Sequence, residues 1–228
     1  MNRFSGVPDT LYIPLTARIY VSKHFPDYFM DEKALSLEPE MPYETIAAKS
    51  TEYFQMAGAC RFYCTDQMIR SFIHKHGKCN VINLGCGLET AYFRLLSHTG
   101  EAVFYEVDLP SVIEMRRRIL GESEREILIA GDMFDFEWTK GIDTQRPTIL
   151  TAIGVFQYFE SASVTVFLKE IQKHFTDAEV IFDAMTGKAV KYANDYIRKT
   201  GNKNAELHFS TDSGAAVAGM CGMQLAAE

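Results

Sequence analysis

From Cys79 onward, short apolar runs alternate with segments whose hydrophobic residues recur at helical spacing. "CNVINL" predicts a first strand, and Leu88, Ala91, Tyr92, Leu95 and Leu96 predict a helix after it. "AVFYEVD" is the next strand, and "LPSVIEMRRRIL" the next helix, opened by a proline near its first turn. "EILIAGD" and "TILTAIGVF" predict two more strands. Ser161 or Ser163 can then cap a helix whose buried face is Val164, Phe167, Leu168, Ile171 and Phe175. "AEVIFDAM" predicts a fifth strand, a helix through Tyr192 and Tyr196 follows, and "AELHFS" is a possible sixth strand. Strands apolar on both faces, separated by amphipathic helices, predict a doubly wound, mostly parallel α/β fold of the Rossmann-like kind.

The first 75 or so residues differ. They lack strand alternation, and from Glu44 to His76 the pattern is helical, with one stripe at Tyr53, Met56, Ala57, Cys60 and Cys64 and another at Met68, Ile69, Phe72 and Ile73. The expected organisation is a helical lid over residues 1–76, packed beside an α/β domain at 77–228. The last stretch, "STDSGAAVAGMCGMQLAAE", is rich in small residues and weakly patterned, which predicts either a mobile tail or a sheet short of its last strands.

Composition narrows the function. Among 228 residues, 47% are hydrophobic and 23% charged, enough apolar matter for a real core. The net charge of −7, with no long basic run, argues against a nucleic-acid partner. No apolar run approaches the roughly 20 residues that cross a bilayer, and "MNRFSGVPDT" lacks the apolar core of a signal peptide, so a cytoplasmic protein without a membrane partner is expected. Cys60, Cys64, Cys79, Cys86 and Cys221 are odd in number and match no zinc spacing, so reduced, mostly buried thiols and no metal are expected.

In an open parallel sheet, ligands sit beyond the carboxyl ends of the strands where strand order reverses. Gly85-Cys86-Gly87 ends the first strand, where glycine permits close backbone approach and the following helix offers free N–H groups, although any tight strand-to-helix turn can use such a pair. Asp108 ends the next strand, 21 residues after Gly87, at the position that accepts hydrogen bonds from ribose hydroxyls. Glu106 shares its side of the strand, but Asp108 reaches the strand's end. After the third strand, Asp132 and the backbone of Met133 can serve an adenine edge. A nicotinamide fingerprint wants a third glycine where Thr90 stands. The pattern therefore favours a nucleoside without phosphates, S-adenosylmethionine, over a dinucleotide.

Several stretches together carry a resemblance: "TARIYVSKHFPDYFMDEKAL", "GACRFYCTDQMI", "VINLGCGLETAYFRL", "FYEVDLPSVI", "AGDMF" and "AIGVFQYF". In this order, across about residues 16 to 185, they resemble the leucine carboxyl methyltransferase family, including its bacterial branch of polyketide-type O-methyltransferases. The resemblance implies a class I methyltransferase fold with an N-terminal helical lid. It implies that Arg61 binds the carboxylate of the cofactor's methionine part, that Gly85 and Gly87 pass under that part, that Asp108 holds the ribose, and that Asp132 with Met133 holds the adenine. A planar guanidinium suits the first of these tasks. Arg18 falls where the family places a basic residue near the methionine end or the substrate. Two positions depart from the family: Glu89 stands in place of aspartate, and Ile153 in place of a glutamate that contacts the cofactor's amino group. The second loss should weaken cofactor binding by about 1–3 kcal/mol.

Methyl transfer to a carboxylate needs no general base, because that acceptor is already ionised at neutral pH, whereas an alcohol or phenol wants one. None of His24, His74, His76, His98, His174 and His208 sits in a motif that marks it as a base, and no catalytic residue is assigned. Arg18, Tyr20 and Tyr158 are candidates to orient a small-molecule or peptide carboxylate. The expected activity is S-adenosylmethionine-dependent O-methyl transfer. The alternative is a noncatalytic member that binds ligands or partners, which Ile153 and the short C-terminus favour. A nicotinamide oxidoreductase is disfavoured by Thr90.

Overall fold

Five parallel strands form one sheet in the order β3-β2-β1-β4-β5. The computed structural model describes residues 9–48, 50–200 and 206–228. The strands are β1 (Asn80–Leu84), β2 (Val103–Asp108), β3 (Glu126–Ala130), β4 (Thr148–Ala152) and β5 (Ala178–Phe182), in the five expected places. β1 and β4 are buried at every position, as strands covered on both faces must be, while the edge strands β3 and β5 are only partly buried. Strand order reverses at β1, which lies between β2 and β4, so the carboxyl end of β1 is the switch point of the sheet.

The helices are α1 (Asp9–His24), α2 (Glu32–Leu37), α3 (Tyr43–Ala47), α4 (Glu52–His76), α5 (Ala91–Arg94), α6 (Pro110–Leu120), α7 (Ser161–His174), α8 (Gly187–Thr200) and α9 (Gly214–Cys221). α4 starts at Thr51, whose hydroxyl accepts from the Phe54 N–H at 3.2 Å, and ends in the basic turn His74-Lys75-His76 before Gly77 at φ +66°. Its inward face is Gln55, Ala59, Phe62, Asp66, Ile69, Phe72 and Ile73. The stripe expected through Tyr53, Cys60 and Cys64 instead faces outward, with Tyr53 82% exposed. The apolar count misled because Asp66 and Gln55 sit inside, and Asp66 has a buried arginine for a partner.

Other expectations are also corrected. The helix after β1 is a single turn followed by a 3-10 turn, and Leu96 faces solvent. α7 buries Val164, Phe167, Leu168 and Ile171 as expected, but neither serine caps it; Glu160 holds the cap position without a side-chain bond. Glu206–Ser210 is not a strand. It is held as a loop, where Asn194 donates to the Leu207 carbonyl at 2.7 Å and accepts from its N–H at 2.8 Å. The tail is not patternless: Ser213 caps α9, and Val217 and Cys221 are buried in the main core with β4 and α7.

α1 to α3 pack over Leu88 and the end of α6 through Tyr12, Leu15, Ile19, Leu37 and Tyr43. α4 packs against the sheet through Ile69, Phe72 and Ile73, which meet Val81, Phe104 and Ile149. A third contact sets Val21, Phe29, Ala59 and Phe62 against Ile153, just past β4. No helix among the described residues is long and apolar enough to cross a membrane.

Candidate functional site

The turn after β1 is built on two left-handed glycines, Gly85 at φ +59° and Gly87 at φ +47°. A Cβ on Gly85 would lie 2.6 Å from Cγ2 of Val155, and one on Gly87 would lie 2.9 Å from Cδ2 of Leu11. The glycines therefore serve the fold directly, letting the loop after β4 and helix α1 close against bare backbone. Between them Cys86 is buried, which pushes its thiol well above the ordinary range.

Asp108 ends β2 and faces this turn. One of its carboxylate oxygens accepts from the Gly87 N–H at 2.8 Å and the other from the Leu109 N–H at 2.7 Å. Burial raises its pKa against the lowering effect of these bonds and of Arg116. Glu106, two residues earlier, is fully sealed and takes both Asn83 amide contacts at 3.1 Å. Of the two acids on this side of β2, only Asp108 lies at the strand's end. The Gly131 N–H donates to the Asp108 carbonyl at 2.9 Å, bringing the loop after β3 alongside. There Asp132 is exposed and accepts from the Phe134 N–H at 2.9 Å, while Met133 is buried and its carbonyl takes the Trp138 indole N–H at 3.0 Å.

Arg61 reaches the same rim from α4. Its Nη1 lies 2.5 Å from Oδ2 of Asp183, whose Oδ1 accepts from the Gly154 N–H at 2.6 Å. Gly154 precedes Val155, the residue that packs on Gly85, so the ion pair stands beside the glycine turn. Tyr158 is exposed and donates its N–H to the Val155 carbonyl at 3.2 Å. Tyr20 is farther out on α1, where its hydroxyl donates to Glu52 at 3.2 Å.

Arg18 is placed otherwise than in an open cleft. It is 1% exposed and gives its donors to Asp31 at 3.0 Å, Glu89 at 3.2 Å and the Leu88 carbonyl at 2.6 Å. Arg94 completes this cluster, bidentate on Asp66 at 2.7 and 2.9 Å and in contact with Asp31 at 3.0 Å and Glu89 at 2.6 Å. The Thr90 hydroxyl turns into the same cluster, 2.5 Å from Asp31. Burial would raise the Glu89 pKa, but Arg94 and Arg18 outweigh it and hold the carboxyl down to about 2. Below the turn, Arg116 donates to the Gly87 carbonyl at 3.1 Å, the Glu89 carbonyl at 2.6 Å and Glu126 at 2.6 Å. Both arginine centres grip the backbone of residues 87–89.

The sequence reading did not single out Asp183, Arg94 or Arg116. Asp183 had a signal: it follows the strand in "VIFD" as Asp108 ends "FYEVD". The arginines had none, because each ties together groups from several separate elements, Arg94 reaching Asp31 and Asp66 and Arg116 reaching Gly87 and Glu126. Among the described residues no group of three or more histidine, cysteine, aspartate or glutamate side chains is placed to hold a metal ion.

The chain is similar to known methyltransferases over most of its length. The model of the leucine carboxyl methyltransferase family matches residues 14–172. The tetracenomycin polyketide synthesis O-methyltransferase TcmP of Streptomyces glaucescens is 26% identical over 202 residues, 87% of this chain and 74% of that protein. The S-adenosyl-L-methionine-dependent methyltransferase dpfgK of Gibberella zeae is 26% identical over 151 residues, 61% of this chain, which spans about half (51%) of that relative. Among solved structures, the mitomycin 7-O-methyltransferase MmcR superposes with a TM-score of 0.51 at 15% identity over 82% of this chain and 54% of its own. That likeness shows the class I methyltransferase fold. With more than half its length matched, the chain belongs to the leucine carboxyl methyltransferase family of S-adenosylmethionine-dependent methyltransferases.

Proposed function

We propose that this methyltransferase esterifies a carboxylate of a small molecule or peptide, holding S-adenosylmethionine across the carboxyl ends of β1, β2 and β3. The observation that carries the reading is a set of groups at the carboxyl ends of the strands: Asp108 at the end of β2 bonded to the Gly87 N–H, Asp132 two residues past β3, and Arg61 of α4 paired with Asp183 just past β5. This donor set fits the cofactor. Asp108 keeps lone pairs beyond its two backbone bonds for ribose hydroxyls, the exposed Asp132 suits an adenine amino group, and Arg61 suits a carboxylate. When bound, the cofactor supplies an electrophilic methyl group on a sulfonium.

The chain's own task is alignment. Arg18, Arg94 and Arg116 fix the loop at residues 87–89, and residues 1–76 act as a cover over the α/β body at 77–228, so that an acceptor oxygen is held in line with the methyl group. A carboxylate acceptor needs no general base, and three of the histidines have other neighbours: His208 pairs with Glu160 at 3.2 Å, His174 stacks on Phe136, and His24 lies against Tyr20. Tyr158, beside Val155, is proposed as an acceptor contact. A cytoplasmic location accords with five free cysteines.

The test uses cofactor labelled in its methyl group, a panel of carboxylic acids, and phenols of matched shape. Transfer to a carboxylate gives an ester that releases labelled methanol in mild base. Base-stable label would move the reaction to a phenol or alcohol. Cofactor binding without transfer to either set would leave a binding module.

A further inference from the structure

We propose that Asp183 receives a cationic ammonium group and, with Arg61, forms a two-part clamp for a zwitterionic α-amino acid group, the methionine end of the cofactor. This rests on the S-adenosylmethionine reading above.

A zwitterion needs one fixed anion and one fixed cation a few ångströms apart. Arg61 Nη1 and Asp183 Oδ2, 2.5 Å apart, are such a couple. Their side chains are 36% and 19% exposed, so a small ligand can reach both while bulk water screens them only in part. Asp183 is aimed, because its other oxygen is anchored by the Gly154 N–H at 2.6 Å. Each carboxylate oxygen has a second lone pair to offer.

The position follows from sheet register. Ala152 of β4 pairs with Phe182 of β5, so Ile153 and Asp183 are the next residues on adjacent strands. Ile153 packs among Val21, Phe29, Ala59 and Phe62, and offers an ammonium nothing. The carboxylate at this end of the sheet comes instead from the neighbouring strand. It is bonded to Gly154, whose neighbour Val155 presses on Gly85 of the glycine turn where the methionine part would lie. A plain fastener between α4 and the sheet would explain the ion pair, but not its place at the rim.

The test titrates S-adenosylhomocysteine, its deaminated analogue and 5′-methylthioadenosine, which lacks the amino acid group, into the parent protein and into Asp183→Asn and Asp183→Glu. S-Adenosylhomocysteine should bind Asp183→Asn about 10- to 100-fold more weakly, the loss expected for a charged hydrogen-bond partner. Binding of 5′-methylthioadenosine should stay within about twofold, and Asp183→Glu should recover part of the loss. The parent should prefer S-adenosylhomocysteine to its deaminated analogue by a similar factor, a comparison that needs no variant to fold. Equal binding of S-adenosylhomocysteine by parent and Asp183→Asn would overturn the proposal. Tighter binding by the variant would also overturn it, since Asp183 would then be competing with the ligand for Arg61. So would a parallel loss of 5′-methylthioadenosine, which marks general distortion. If the parent binds 5′-methylthioadenosine and S-adenosylhomocysteine equally, the clamp fails while the nucleoside site stands. If it binds neither, the cofactor reading itself falls.

Discussion

Gly85 shows how a single missing methyl group can be required twice. Its φ of +59° is strained for an L side chain, and a Cβ there would come within 2.6 Å of Val155. Gly85→Ala should therefore lose about 1–3 kcal/mol of stability in urea unfolding, from strain plus overpacking. Adding Val155→Ala should recover the overpacking share and leave the backbone share. Glu106 makes a different residue-scale case. Burial is the main cause that raises its carboxyl to about 7, with Arg116 opposing and Glu126 adding to the rise. Between the ordinary value of 4.5 and about 7 the folded protein then holds more proton than the unfolded chain, so stability contributed here falls as pH rises through that window. Glu106→Gln removes the titration. The parent should lose about 1–3 kcal/mol relative to Glu106→Gln between pH 4.5 and 7.5, measured by urea unfolding at each pH.

At the scale of elements, the N-terminal helices are fastened to the sheet by charge as well as by apolar packing. Arg94 of α5 holds Asp66 of α4 and Asp31 before α2, and all three side chains are nearly fully buried. Arg94→Met would take a partner from Asp31, Asp66 and Glu89, with Arg18 left to serve Asp31 and Glu89 and neither arginine left on Asp66. It should cost about 3–5 kcal/mol in urea unfolding. Lys23 pairs with Glu38 at 2.7 Å near the surface, and Lys23→Met should cost less than about 1 kcal/mol in the same assay. Thr90 and Arg94, which bound the single turn of α5, are both tied to Asp31.

At the scale of the whole molecule, the parallel sheet and the order of its elements could be read in advance, because buried strands announce themselves through short, β-branched and mostly apolar runs such as "NVINL" and "TILTA". Strand-end positions Gly85, Gly87, Asp108 and Asp132 could be read for the same reason, each sitting where such a run stops. What could not be read depended on contacts distant in sequence. The inward face of α4 is set by Arg94 reaching Asp66, 28 residues away, and Arg61 meets Asp183 across 122 residues. Asn194 holds Leu207 and its neighbours out of a sixth strand through two side-chain bonds that no period predicts.

The polar row inside the sheet has a consequence for how the strands find one another. Thr151 of β4, Asn83 of β1 and Glu106 of β2 are register partners, joined by hydrogen bonds from Thr151 to Asn83 and from Asn83 to Glu106. A slip of one residue would exchange the faces of a strand, which the covering helices resist. A slip of two keeps every face, and an apolar pattern alone would accept it. In that slip Asn83 would meet Ile149 or Ile153 on β4, and its buried carbonyl oxygen would lose the Thr151 hydroxyl. Three polar side chains thus act as an alignment mark, telling otherwise interchangeable hydrophobic strands which of their neighbouring positions is correct.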